Sequence, residues 1–475
     1  MKRKAPTTQS SPKAKRQQVQ VPDYCDTPVR RDQHNAPIWP APEADMTTAR
    51  NFFTECATNA RRTLLVPDKD ADGLSAGVIA YRTLLALNLP KDKISVHLLS
   101  KGTSVHDESE RKAMLAYAPE RVIVLDQGSR RGPRIVDDET VQCLVVDHHA
   151  RTEGENPEGA IVVSACDCPP VSTASLLTYT ICSTLHPSIA ESCRYLAAIG
   201  THGDLGTTLK WKDPFPPMDS VFKTHTKKTI NDCVSLLNAP RRTSTFDVIS
   251  AWNALCNNNT PEPILKNIRL LNARADINEE VERCTHTPPK FSRDGRVAVL
   301  RINSPCQVHP VIATRWAGHL KSKDLEIVMV ANEGYFTTTT TTTATTENNT
   351  NENETETEEQ EGKVNFSCRI ARSAKARLGD DAVDIISLLK EEAGEDLVSR
   401  MGESFARGHK EASGGIVGKA VFEEFLQRMG VGEKKKKEEE RKVDDAVGVG
   451  LGGGKAKVKL PEQKNSLMNY FAVKT

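Results

Sequence analysis

The segment Val145-Val146-Asp147-His148-His149 predicts both the fold and the place of a functional site. The apolar run at 143–146 ends abruptly in one carboxylate and two imidazoles. Short apolar runs that end in polar residues are typical of buried parallel strands. In an open α/β sheet the ligand crevice lies outside the carboxyl ends of such strands. We therefore expect Asp147, His148 and His149 at that edge of a parallel sheet.

Two further predicted strands end in acidic residues in the same way. The strand at 121–125 leads into Asp126. The strand at 63–66 leads into three carboxylates at every second position: Asp68, Asp70 and Asp72. Side chains at alternate positions of an extended segment share one face, and three such charges repel unless a cation neutralises them. Acids and imidazoles at three strand ends therefore predict a manganese or magnesium site.

These ligands favour phosphoester hydrolysis without a covalent intermediate. A pair of divalent ions about 3.5–4 Å apart can hold a hydroxide and position a phosphoryl group for in-line attack. An EF-hand calcium loop does not fit, because Ile79 stands at the twelfth loop position and a strand precedes the loop. A solvated acidic turn remains an alternative for the first motif alone.

Composition sets broad limits on the class of protein. The chain has 475 residues, enough for two domains and tails, and its net charge of +1 neither favours nor excludes nucleic acid. The 12 cysteines are scattered without the usual zinc-ligand spacing, so we expect reduced thiols. No apolar stretch has membrane-spanning length, and no membrane partner is expected.

Hydrophobic periodicity divides the chain into an α/β domain with a parallel sheet, a helical connector and a smaller α/β domain, between disordered tails. The insertion at 337–362 is rich in Thr, Asn and Glu and is expected to be a solvated loop. The predicted parts are a basic tail at 1–45, the first domain at 46–206, the connector at 207–295, the second domain at 296–430, and a tail at 431–475.

Four motifs in order resemble the DHH phosphoesterase superfamily. They are the acidic motif at 68–73, Leu125-Asp126, Asp147-His148-His149, and Gly200-Thr201-His202-Gly203-Asp204. The second domain resembles the DHHA1 accessory domain of the RecJ-like and nanoRNase-like branches, on the residues 366–369 and 407–414. The resemblance covers residues 63–206 and 296–429.

The resemblance implies a role for each matched residue. Asp70 and Asp126 would hold one metal ion. The second ion would be held by Asp72, Asp126, His148 and Asp204, with Asp126 bridging. As catalytic residues, Asp147 would orient the site and His149 would contact the substrate phosphate. Substrate would also be bound from the second domain by Arg369, Arg407, Gly408 and His409.

Two positions depart from the family pattern. The first motif usually opens with His, where this chain has Asp68; an aspartate can still be a ligand, and it makes the first metal position richer in oxygen. The accessory motif usually reads Gly-Gly-His, and Arg407 replaces its first Gly. His202 is expected to be a structural histidine.

Both termini carry patterns that suggest a nuclear protein. The basic clusters at 2–4 and 13–16 resemble a bipartite import signal. The tail residues Leu467, Tyr470 and Phe471 resemble a peptide that binds the sliding clamp PCNA. We therefore expect nuclear localisation and PCNA as a partner.

Together these features predict a nuclear phosphodiesterase that uses two divalent ions, Mn²⁺ before Mg²⁺, and acts on single-stranded nucleic acid. Its expected role is that of an exonuclease in replication or repair, with DNA and RNA both open as substrates. Two alternatives remain: a phosphatase of small substrates such as short oligonucleotides, phosphoadenosine phosphate or polyphosphate, and an inactive DHH scaffold of the replication machinery. The intact ligand set favours an enzyme over a scaffold.

Overall fold

A computed structural model describes residues 27–149, 154–207, 209–336, 362–379, 383–402 and 404–433. Over these residues the fold is α/β with two separate sheets, as predicted. The predicted import signal, most of the threonine-rich insertion and the clamp-binding peptide lie outside the described residues. Among the described residues, no helix is both long and apolar enough to cross a bilayer.

The first sheet is parallel and has five strands in the order β2-β1-β3-β4-β5. The strands are β1 (Thr63–Pro67), β2 (Ile94–Val96), β3 (Arg121–Leu125), β4 (Gln142–Asp147) and β5 (Ala160–Ser164). Strands β1 and β3 are buried along their whole length, which explains their uninterrupted apolar runs. Because β1, β3 and β4 are neighbours and parallel, the acidic segments that follow them meet at one edge.

Six helices pack around this sheet. They are α1 (Glu43–Thr58), α2 (Ala71–Ala86), α3 (Glu108–Leu115), α4 (Ala174–Cys182), α5 (Pro187–Ser192) and α6 (Arg194–Asp204). Helix α2 starts where the acidic motif ends, because the Asp70 carboxylate accepts hydrogen bonds from the backbone N–H groups of Asp72 (3.1 Å) and Gly73 (3.2 Å). Apolar residues at 189–200 have the spacing of one helix, but the structure has two, α5 and α6, which meet at Cys193.

The connector is helical, as predicted, and it belongs to both cores. Its helices are α7 (Asp219–His225), α8 (Lys227–Asn238), α9 (Val248–Cys256) and α10 (Ile268–Cys284). Residues of α8 and α9, such as Leu237 and Trp252, are buried in the core of the first sheet. Ile277 and Val281 of α10 are buried in the core of the second. The connector therefore packs as part of the fold.

The second sheet is mixed and has six strands in the order β10-β11-β9-β8-β7-β6. The strands are β6 (Lys290–Phe291), β7 (Val297–Ile302), β8 (Ile327–Asn332), β9 (Lys363–Ile370), β10 (Arg407–His409) and β11 (Ala412–Gly418). Its helices are α11 (His309–His319), α12 (Arg372–Leu378), α13 (Ile385–Met401, interrupted at Gly394) and α14 (Lys419–Arg428). Strands β7 and β8 pair in parallel and the other described pairs are antiparallel.

Two strands and one packed segment were not foreseen. The glycine-rich residues 403–417 contain β10 and most of β11, because Gly414 lets β11 approach Phe366 of β9 more closely than a Cβ would allow. The predicted disordered tail at 1–45 is too long. The Trp39 indole N–H donates to the Pro170 carbonyl (2.8 Å), and Ala41 is buried in the first core.

Candidate metal centre

The carboxyl edge of the first sheet gathers the predicted acids and imidazoles. Asp126 and the Asp147-His148-His149 segment follow β3 and β4, and the acidic motif joins β1 to α2. Asp204 comes from the last residue of α6, which packs against α2 and α4. Four separate segments thus deliver side chains to one place, as expected for parallel strands whose ends coincide.

Two groups of donor atoms form at this edge, and Asp126 belongs to both. The oxygen group consists of Asp68, Asp70 and Asp126. The mixed group consists of Asp72, Asp126, His148 and Asp204. Within each group, one donor atom per residue lies within 4.8 Å of the others. His149 also lies that close to Asp126 and His148. The structure therefore brings the predicted ligands together in the predicted division, with Asp68 in the oxygen group.

Two buried polar atoms at the centre of these groups indicate a missing positive charge. Asp126 Oδ1 and His148 Nε2 are buried, and neither makes a hydrogen bond of good geometry in the described structure. They lie 3.2 Å apart, and His148 Nε2 also lies 3.1 Å from Asp204 Oδ2. A buried polar group without a partner costs about 1–3 kcal/mol. A divalent cation between these atoms would satisfy them, so the residues present fit a metal ion.

The pKa values of these groups point the same way. Burial, and then the Asp204 charge, raise the pKa of Asp72 to about 7. Burial, and then the charges of Asp72 and Asp70, raise the pKa of Asp126 well above its usual range. Burial opposes protonation of His148, but the carboxylates of Asp204 and Asp72 outweigh it and raise its pKa to about 9. These shifts favour the protonated forms of the ligands, so metal binding at this group competes with protons.

The mixed group is held in place by the start of α4. The Asp72 carboxylate accepts hydrogen bonds from the backbone N–H groups of Ala174 (2.7 Å) and Ser175 (3.1 Å). These are free donors at a helix N-terminus, where a negative charge is favourable. Gly200 of α6 lies against the same carboxylate, and a Cβ there would overlap Ser175 Oγ and Asp72 Oδ1. This close approach explains why glycine stands at position 200 of the fourth motif.

Asp147 and His149 differ from the donors in their contacts. Asp147 is buried and accepts hydrogen bonds from the backbone N–H groups of His148 (2.7 Å), His149 (3.3 Å) and Ser129 (3.2 Å). Burial would raise its pKa, but the His149 ring, 2.8 Å away, and these hydrogen bonds keep it low. Asp147 belongs to neither donor group, which agrees with the predicted orienting role. The His149 side chain is 51% exposed and remains accessible to a substrate.

Three arginines from the connector and the second sheet lie near one another, and the two from the connector, which were not predicted from the sequence, lie near Asp70. Arg241 and Arg242 follow α8, and Arg369 lies on β9; we call them the cationic group. Arg241 Nη2 lies 3.8 Å from Asp70 Oδ2. Burial, and then the Arg241 charge, lower the pKa of Arg242 to about 9, and Arg369 also contributes. The available signal was the adjacent pair of arginines, which did not distinguish a site from a solvated turn.

The other predicted substrate residues lie next to Arg369 in the second sheet. In the strand register, the backbone of His409 lies opposite Ala412, and Ala412 lies opposite Arg369. Gly408 has a φ of 109°, and a Cβ there would lie 2.5 Å from the Ala412 carbonyl oxygen, so glycine is required. The side chains of Arg407 and His409 lie outside the described part of the structure.

His202 is structural, as expected. Its Nδ1 lies 2.8 Å from the Asn231 side-chain oxygen, and its Nε2 accepts the Trp211 indole N–H at 3.1 Å. The ring stacks on Phe222. It belongs to none of the donor groups found among the described residues.

The parallel sheet with acids and imidazoles at its carboxyl edge defines an α/β domain with a candidate metal centre. Residues 62–201 match the DHH family, N-terminal domain, and this segment therefore belongs to the DHH family. The predicted resemblance to the DHH phosphoesterase superfamily is confirmed. A comparison with curated protein sequences finds no match.

Solved structures share the fold over most of the chain. The exonuclease RecJ bound to manganese is 18% identical, with a TM-score of 0.52 over 83% of this chain and 95% of that one. RecJ of Thermus thermophilus in complex with Mn²⁺ is 16% identical, with a TM-score of 0.54 over 83% of this chain and 55% of that one. The DHH domain of a protein described as a member of a ribosomal protein family is 13% identical, with a TM-score of 0.56 over 82% and 90%. These TM-scores, at identities below 20%, show a common fold that extends beyond the DHH segment.

Proposed function

We propose that this chain is a phosphodiesterase that depends on two divalent ions and removes nucleotides from single-stranded nucleic acid. The observation that carries the proposal is the pair of donor groups that share the buried, unpartnered Asp126 Oδ1, with a cationic group beside them. When bound, a pair of divalent ions supplies an activated water and polarises the phosphoryl group. The fold shared with RecJ supports an exonuclease within the DHH family.

The cationic group is suited to hold the substrate phosphate next to the donors. A guanidinium presents parallel N–H groups that match phosphate oxygens. Arg241 already lies 3.8 Å from Asp70, so a phosphate bound by it would lie beside the oxygen group. We propose that Arg369 of β9, and with it Arg407 and His409 of β10 on the far side of β11, contact the backbone or the terminal phosphate.

His149 is proposed to act on the substrate from the sheet side of the site. Partial burial would lower its pKa, but the hydrogen bond with Asp147 and that carboxylate's charge raise it. A protonated ring donates hydrogen bonds and is placed to stabilise charge that develops on the phosphoryl oxygens. Asp147 holds the ring in this orientation.

The test is hydrolysis by the purified full chain with Mn²⁺ or Mg²⁺. The substrates are single strands of DNA and RNA labelled at either end, their duplexes, dinucleotides, phosphoadenosine phosphate and polyphosphate. We expect mononucleotides from single strands, with Mn²⁺ the better ion and EDTA abolishing release. Phosphate release from the small substrates alone would support a phosphatase. Tight Mn²⁺ binding without hydrolysis of any substrate would contradict the enzyme assignment.

Replacing Arg369 with Ala is expected to weaken substrate binding more than catalysis. Hydrogen bonds to charged groups contribute about 1.5–3 kcal/mol, so KM should rise roughly 10- to 100-fold. Arg369→Lys keeps the charge but loses the planar guanidinium, so its KM should lie between those of wild type and Arg369→Ala. Arg400→Ala, on an exposed ion pair with Glu424, is the control and should match wild type. An unchanged KM for Arg369→Ala would remove this residue from the substrate site.

Nuclear localisation and PCNA binding are further proposals that rest on the terminal motifs. Fluorescently tagged full chain should enter the nucleus, and alanine at Lys2, Arg3 and Lys4 should reduce entry. Calorimetry should detect PCNA binding that is lost when Leu467, Tyr470 and Phe471 are replaced by Ala. Unchanged entry or unchanged binding in these variants would refute the respective proposal.

A further inference from the structure

The two donor groups differ in the atoms they offer. The oxygen group presents carboxylates only, from Asp68, Asp70 and Asp126. The mixed group adds the imidazole of His148 to three carboxylates. Carboxylate oxygen suits Mg²⁺ and Mn²⁺ alike, whereas imidazole nitrogen favours a first-row transition ion over Mg²⁺. The two donor groups should therefore differ in their preference between Mg²⁺ and transition-metal ions such as Mn²⁺.

The charges around the groups differ as well. Lys69 Nζ lies 3.7 Å from Asp68 Oδ1, and Arg241 Nη2 lies 3.8 Å from Asp70 Oδ2. The chain's own cations thus offset part of the negative charge of the oxygen group. In the described structure, the ion pairs of the mixed group involve only histidines, whose rings give up a proton when they bind a metal ion, and no Lys or Arg. A divalent ion should therefore bind the mixed group more tightly.

Solvent access differs for most of the ligands. The side chains of Asp68 and Asp70 are 20% and 22% exposed; in the mixed group Asp204 is 28% exposed, whereas Asp72 and His148 are buried. Mg²⁺ gives up its water reluctantly and binds through few carboxylates, so a partly open oxygen group suits it.

The unpartnered atoms show which group demands a cation most. Asp126 Oδ1 is common to both groups, but the second buried atom without a hydrogen-bond partner, His148 Nε2, belongs to the mixed group. From these differences we infer that the two positions take different ions. The mixed group binds Mn²⁺ or a similar transition ion tightly, and the oxygen group binds weakly and takes Mg²⁺ when Mg²⁺ is in excess. The inference rests on the proposed function, in which both groups are metal sites.

The test is the stoichiometry of Mn²⁺ binding to the full chain in excess Mg²⁺, measured by equilibrium dialysis and electron paramagnetic resonance. Wild type should bind one Mn²⁺ tightly, with the second weaker on the order of tenfold or more, and should lack the signal of a coupled Mn²⁺ pair. Asp68→His adds an imidazole to the oxygen group and should bring the second Mn²⁺ to high affinity, with a spin-coupled spectrum. Asp68→Asn, which removes charge without adding nitrogen, is the matched control and should weaken the second Mn²⁺ further.

A second variant tests the other group, in case Asp68→His does not fold. His148→Asp removes the only imidazole of the mixed group and should abolish the preference of the tight position for Mn²⁺ over Mg²⁺. Two equally tight Mn²⁺ ions in wild type, or an unchanged preference in His148→Asp, would overturn the inference and leave the proposed function standing. Failure of wild type to bind any Mn²⁺ would overturn both.

Discussion

Replacing Asp126 with Asn is expected to abolish metal-dependent hydrolysis while the chain stays folded. Asp126 is the only residue shared by the oxygen group and the mixed group among the described residues, so its loss affects both metal positions. Transition-state stabilisation by metal ions amounts to several kcal/mol, so the rate should fall on the order of 10³-fold or more. Hydrolysis of an end-labelled single strand with Mn²⁺ measures the loss.

Asparagine is a better choice than alanine at this position for a conformational reason. Asp126 has a φ of 64°, in the left-handed region that Asn tolerates and that costs other residues about 1–2 kcal/mol. Burial and neighbouring carboxylates disfavour the charged form of Asp126, so the neutral amide should leave the metal-free protein at least as stable. In thermal unfolding, Mn²⁺ should raise the Tm of the wild-type protein but not that of Asp126→Asn.

Asp92→Asn serves as the control, because Asp92 is an exposed carboxylate away from the site. It should leave both the rate and the Mn²⁺-dependent rise in Tm unchanged. Activity close to wild type in Asp126→Asn would show that the shared ligand has been assigned wrongly.

Replacing Gly200 with Ala is expected to lower the rate on the order of 10²-fold, although Gly200 is not itself a metal ligand. A Cβ at this position would overlap Asp72 Oδ1 and Ser175 Oγ, so one or both must shift. Asp72 is held by two backbone N–H groups at the start of α4, and any shift breaks that geometry. Misplacement of a catalytic group by about 1 Å lowers the rate on the order of 10²-fold.

The same overlap should also reduce stability. Overpacking of a well-packed core costs typically about 1–3 kcal/mol, so Gly200→Ala should lower Tm. Gly318→Ala is the matched control, because Gly318 also lies in a helix but has open space where the Cβ would be. It should keep full activity. The reading of Gly200 as a positioning residue would fail if Gly200→Ala kept wild-type activity and Mn²⁺ affinity.

Much of the first domain was predictable because its signals are local. Each apolar run that ends in acids is a buried strand in the structure, since a parallel sheet covered on both faces requires continuous apolar residues. The break between α5 and α6 at Cys193 was not predictable, because the apolar spacing at 189–200 is also compatible with one helix. Strands β10 and β11 were missed because glycine lowers strand propensity, and close packing against β9 overrides it.

The sequence by itself determined which side chains would meet at the edge of the first sheet, because parallel strands end together and the acids follow directly on their strands. Only the tertiary structure decided that Arg241 lies beside Asp70 and that Gly200 lies against Asp72. Such contacts join segments far apart in the chain. They depend on how the helices and the connector pack, and no local pattern encodes that packing.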